Sequence, residues 1–135
     1  MTALNWIVVY IAGLVTFLVV DLVWLGVVAK GVYRDRMGDM LADKPNWPVA
    51  LAFYALFVIG VLYFAVAPGV DDHSLSLALR NGALFGLFTY ATYDLTCLAV
   101  LRGFSGVLAV IDIAWGVVLS TTVSAAAYLV ARTVG

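Results

Sequence analysis

The sequence predicts an all-α integral membrane protein, a bundle of four transmembrane helices, and three observations carry that class. Apolar residues make up 65% of the 135 residues and charged residues 11%, and the mean hydropathy is +1.10, far outside the range of a soluble domain. The apolar residues gather into four segments, each reaching the roughly 20 residues that a helix needs to cross the hydrocarbon core. The connections between them are short. Neighbouring helices are therefore expected to pack antiparallel in one transmembrane domain covering residues 1–135, with no soluble domain.

Helix one is read over Asn5 to Ala29. It lacks a basic leader and a small-residue cleavage site and exceeds the length of a signal-peptide core, so it is expected to remain as a span. After it, Val32, Tyr33, Met37, Met40 and Leu41 are spaced to line one side of a short helix, with Arg34, Asp35, Arg36 and Asp39 on the other positions. That pattern predicts a helix lying along the membrane interface. Asn46, Trp47 and Pro48 then read as a helix start: a capping side chain, an interfacial aromatic and an early proline. Helix two runs from Pro48 to Ala67, helix three from Leu77 to Leu101 and helix four from Val107 to Ala131. Asp71, Asp72 and His73 form a short loop, expected to be a solvated turn because no second histidine or cysteine completes a metal set.

Orientation follows from the basic residues. Lys30, Arg34, Arg36, Lys44 and Arg102 lie on one face, and only Arg80 and Arg132 on the other. The first and third loops are thus placed in the cytoplasm and both termini outside it. The single Cys97 lies within helix three, cannot form an internal disulfide and is expected to pack as a small apolar residue.

Asp21, Asp94 and Asp112 interrupt the apolar segments. A carboxylate near the middle of a spanning helix costs roughly 2.5 to 3.5 kcal/mol on insertion scales, so such residues are buried together, neutral, or binding something. Asp21 precedes Lys30 by nine positions, Asp94 precedes Arg102 by eight, and Asp112 follows the same loop by a similar count. At 1.5 Å per residue all three lie about 12 to 15 Å from the same charged edge. Trp24 follows Asp21 by three positions, as Trp115 follows Asp112, so each of these aspartates has an indole on its own helical face as a candidate donor. Tyr90 and Tyr93 stand beside Asp94 in the same way. If the carboxyls meet, they are expected to hold at least one shared proton.

Two further patterns organise the chain. Gly82 and Gly86 stand in a four-residue row that continues through Tyr90 to Asp94, and Gly116, Ser120 and Ser124 continue the row that starts at Asp112. Rows of small residues let membrane helices approach closely, so these aspartates are expected to face other helices. The segment Thr16 to Leu22 also aligns with Thr89 to Leu95, matching Asp21 with Asp94. That alignment suggests two hairpins related by a pseudo-two-fold axis along the membrane normal.

Asp21 with Trp24-Leu25-Gly26, the run from Gly82 through Thr96, Leu101-Arg102-Gly103, and Asp112-Ile113-Ala114-Trp115-Gly116 together resemble the bacterial domain of unknown function 2177 family. The resemblance covers nearly the whole chain and implies a four-helix protein of the bacterial inner membrane, with no activity to carry over. The chain departs from the family pattern at Cys97, where an asparagine is usual, and at Phe104, where a tryptophan is usual.

Motifs for nucleotide binding, for Ser-His-Asp chemistry and for zinc proteases are absent, no cofactor or metal is implied, and nothing points to nucleic acid. Three classes stay open. One is a small proton- or cation-coupled carrier or polar-ligand binder, with Asp21, Asp94 and Asp112 as the binding acids and Trp24, Trp115, Tyr90 and Tyr93 shaping a pocket. Four helices enclose a narrow core, so transport would favour a homo-oligomer. The second is a membrane enzyme or accessory subunit acting on lipid or another hydrophobic molecule, betrayed by an opening to lipid at the aspartate layer. In the third, a structural or assembly protein, the aspartates serve as interhelical hydrogen bonds.

Overall fold

The computed structural model describes residues 1–28, 31, 35–36 and 46–135. It is all-helical, with four helices long and apolar enough to cross a membrane. We label the spans α1 (Ala3–Val27), α2 (Trp47–Asp71), α3 (Leu75–Val100) and α4 (Gly106–Val134). The end of the bundle that carries Arg36 and Arg102 is called the basic edge, and the opposite end the terminal edge. The interfacial helix expected over residues 32–41 lies outside the described residues, apart from Asp35 and Arg36, which are helical and exposed.

Each span begins at a side-chain cap, because the first backbone N–H groups of a helix have no partner within it. Thr2 accepts from the Asn5 amide at 3.1 Å, Asn46 from Val49 at 3.4 Å, Ser74 from Leu77 at 3.1 Å and Ser105 from Leu108 at 3.1 Å. Asn46, Trp47 and Pro48 thus start α2 as their chemistry suggests, with the indole half exposed.

Two spans carry a π-helical turn, Trp24–Val28 at the end of α1, running one residue past it, and Leu62–Val66 within α2. The second alters where α2 ends. Hydropathy stops the helix before Pro68, yet it continues to Asp71. The wide turn breaks the ordinary hydrogen-bond register, so Pro68 falls in the first turn of the next helical stretch, where its missing N–H is not needed. His73, at φ 50°, then turns the chain into α3, and it is exposed together with Asp71 and Asp72.

The apolar surface is divided as a bilayer requires. On α1 the buried row is Val9, Gly13, Phe17 and Asp21. The opposite face exposes Leu4, Ile7, Ile11, Val15, Val19 and Leu22. An apolar stripe of that extent suits lipid and not water.

The most extensive pairing joins α3 to α4, with α1 laid on α4 and the Leu62–Asp71 part of α2 on α3. Small residues explain the first. A Cβ on Gly82 would strike Ser124, one on Gly86 would strike the Gly116 carbonyl and Ser120, and one on Gly116 would strike the Tyr90 ring. The two rows read from the sequence therefore run antiparallel against each other. Among the described residues α1 and α2 pair much less closely than α3 and α4, whereas a two-fold axis relating the hairpins would make the pairings alike.

Candidate functional site

The seam between α3 and α4 decides where two of the aspartates lie. Gly82 faces Ser124, Gly86 faces Ser120, and Tyr90 lies over Gly116, so one more turn along each helix sets Asp94 against Asp112. The two carboxyls are within hydrogen-bonding reach of each other. Because an ionised carboxylate only accepts, a hydrogen bond between two carboxyls requires a proton on one of them. Asp94 is 1% exposed, and its Oδ2 has no hydrogen-bond partner among the described residues.

Asp21 arrives from the other side, as the last residue of the buried row on α1. It lies close enough to Asp112 for the two to repel when both are charged. Its Oδ1 accepts from the Trp115 indole Nε1–H at 3.0 Å. That bond corrects the pairing read from spacing: the Trp115 donor serves Asp21 on the neighbouring helix, not Asp112 on its own. Stacking accounts for the exchange, since the Trp24 and Trp115 rings lie 4.4 Å apart and 5° from parallel. Aligned in this way against α1, the Trp115 N–H reaches across to α1's carboxyl.

These side chains bound a cavity of about 410 Å³. Asp21, Trp24 and Leu25 of α1 line it, with Ala50, Phe53 and Tyr54 of α2, Thr89, Tyr90 and Tyr93 of α3, and Asp112 and Trp115 of α4. Six of the seven residues singled out in the sequence are on this wall. The seventh, Asp94, stands behind Asp112. The contribution of α2 went unread, because its aspartate-layer half holds no charged residue. The adjacent pair Phe53 and Tyr54, seven and eight positions after the Asn46 cap, with Phe57 one turn further on, was the available signal.

A layer of rings closes the cavity one turn nearer the terminal edge. Phe17 packs on Tyr54 at 5.0 Å and on Phe57 at 5.5 Å, and Phe57 continues to Phe85 at 5.2 Å and Tyr90 at 6.0 Å. Beyond it the bundle is filled by fully buried Val58, Val61, Val66, Leu119 and Val123. The cavity is therefore blind toward the terminal edge. Toward lipid it is more open: Tyr93 is 57% exposed and Phe53 47%.

Cys97 sits apart from this wall. It packs against the cluster of Phe104, Leu108 and Ala109.

This chain belongs to the domain of unknown function 2177 family of predicted membrane proteins, whose profile matches residues 6–129. No curated protein and no solved structure matches the chain.

Proposed function

Within that family, we propose that the chain is a proton-linked binder or carrier of small organic cations, with its site in the cavity at the aspartate layer. The observation that supports this reading most is the wall itself, which joins the carboxyls of Asp21 and Asp112 to the stacked indoles of Trp24 and Trp115 and to Tyr54, Tyr90 and Tyr93. Aromatic faces attract cations through the ring quadrupole, by about 2 kcal/mol when desolvated, and carboxylates supply the opposite charge. Volume fits an ammonium group with a few substituents, and the blind end argues against a continuous channel.

Proton linkage follows from the pair behind the wall. Asp94 and Asp112 hold one proton between them, and a cation entering beside Asp112 favours the ionised pair and releases it. We place the protein in a bacterial inner membrane with the basic edge in the cytoplasm and both termini outside, on the excess of Lys and Arg at that edge. Alternating access would then be shared with a second copy, since among the described residues the ring layer and the packed core beyond it close the bundle toward the terminal edge.

The Trp115 to Asp21 hydrogen bond favours a second reading, a pin that fixes α1 against α4 without any ligand. Fluorescence separates the two. Benzyltrimethylammonium titrated into the purified protein is expected to quench the Trp24 and Trp115 emission saturably, whereas its uncharged carbon analogue, neopentylbenzene, leaves it unchanged. Asp21→Asn with Asp112→Asn is expected to abolish the quench. No saturable quench, or equal response to both probes, leaves the pin as the better account.

A further inference from the structure

Beside the cavity, on the lipid side of α3, lies a second depression of about 640 Å³. Thr89 lines both spaces. From there the depression runs past Phe88, Phe85 and Leu84 to Asn81, with Phe64 of α2 as its other bank. Asn81 to Thr92 covers roughly 16 Å of helix. Two features give this groove its form. The Asn81 Nδ2–H donates to the Phe64 carbonyl at 3.0 Å, inside the π-helical turn of α2. The Phe64 and Phe85 rings stack at 5.6 Å and 19°, making a smooth apolar floor.

Backbone packing leaves a gap beside both spaces. The Leu62–Asp71 part of α2 stays close to α3, while the Trp47–Val61 part runs closer to α1 than to α3. The helices thus part toward the basic edge, and the gap is faced by Tyr93 and Phe53.

Resting on the cation reading above, we propose that the ligand is a single-chain amphiphile with a positively charged amine head, its head against Asp21 and Asp112 and its chain along the α3 groove. Charge decides the head. Anionic and zwitterionic phospholipids would bring a phosphate to a wall that, among the described residues, carries carboxyls and no basic side chain. Shape decides the tail, since one apolar groove of this length lies beside the cavity and accommodates one chain. Asp94 adds a buried carboxyl whose Oδ2 is unpartnered among the described residues, directly behind the head position.

The test uses the full chain in lipid nanodiscs. Binding is compared for benzyltrimethylammonium, hexyltrimethylammonium and dodecyltrimethylammonium, and a dodecyl ammonium with a diazirine at the chain end is cross-linked and mapped by mass spectrometry. Affinity corrected for partition into empty nanodiscs is expected to rise at least about tenfold with the longer chain, as burial of added methylenes requires. The label should fall on residues 81–92 and be displaced by unlabelled dodecyltrimethylammonium and not by dodecyl sulfate. Leu84→Trp, which fills the groove far from the head, should abolish the chain-length gain and leave benzyltrimethylammonium binding unchanged. Benzyltrimethylammonium binding without a chain-length gain, or with label spread over all lipid-facing helices, overturns the groove while sparing the cation site. Failure of benzyltrimethylammonium itself overturns both.

Discussion

Gly86→Ala is the substitution that most directly probes how the aspartate layer is built. The added Cβ would meet the Gly116 carbonyl oxygen, with Ser120 Oγ at 2.6 Å and Ser120 Cβ at 2.8 Å. No flexible side-chain end is available to yield, because the nearest obstacle is backbone and both helices are buried along this line. Relief requires α3 and α4 to separate by several tenths of an ångström. Overpacking of this kind costs about 1 to 3 kcal/mol, or roughly one to two orders of magnitude in the folded-to-unfolded ratio. Separation along the seam also pulls Asp94 from Asp112, two turns away. Gly26→Ala supplies the control, since a Cβ there meets nothing within 4 Å among the described residues. Its helix propensity gain, up to about 1 kcal/mol, sets the opposite sign. Reversible unfolding in mixed micelles, followed by tryptophan fluorescence, compares the two with wild type. Equal stability of Gly86→Ala and Gly26→Ala would refute the close-packed seam, and with it the reason that Asp94 and Asp112 meet.

Other substitutions test individual bonds. Trp115→Phe keeps a ring to stack on Trp24 and removes the donor to Asp21; a loss of about 1 to 2 kcal/mol is expected in the same unfolding assay, with the coupling vanishing in an Asp21→Ala background. Asn81→Leu removes the tie to the Phe64 carbonyl and should cost about 0.5 to 1.5 kcal/mol, with faster amide exchange confined to the Leu62–Val66 turn. Ser105→Ala deletes the α4 cap and should cost about 0.5 to 2 kcal/mol by denaturant titration, most visibly as fraying near Leu108.

Much of the fold was legible because lipid imposes simple rules. Length and hydropathy find the spans, and the four-residue rows from Gly82 and Asp112 mark faces that pack on other helices, although which helices pair, and that Asp94 meets Asp112, came only with the structure. The end of α2 was not legible: the π turn that lets the helix pass Pro68 depends on tertiary contact with α3, where Asn81 takes up the Phe64 carbonyl. The partner of the Trp115 indole was misread for a related reason. Spacing along one helix says which residues share a face, but the stack with Trp24 turned this N–H toward α1. Phe53 and Tyr54 escaped notice because an aromatic residue in an apolar segment carries no mark that separates a cavity wall from core packing.

A carboxyl layer that exchanges its proton for an organic cation must release protons in proportion to the cation bound. Calorimetric titration of benzyltrimethylammonium in buffers of different ionisation heat counts the protons released on binding. Release approaching about one proton per cation bound is predicted for wild type, because the proposed mechanism gives Asp94 and Asp112, whose carboxyls lie within hydrogen-bonding reach, one proton to lose. Asp94→Asn should fold, since an amide replaces a neutral acid's donor and acceptor, and should bind with no release. A cation bound without proton release by wild type, or with equal release by Asp94→Asn, would contradict the account.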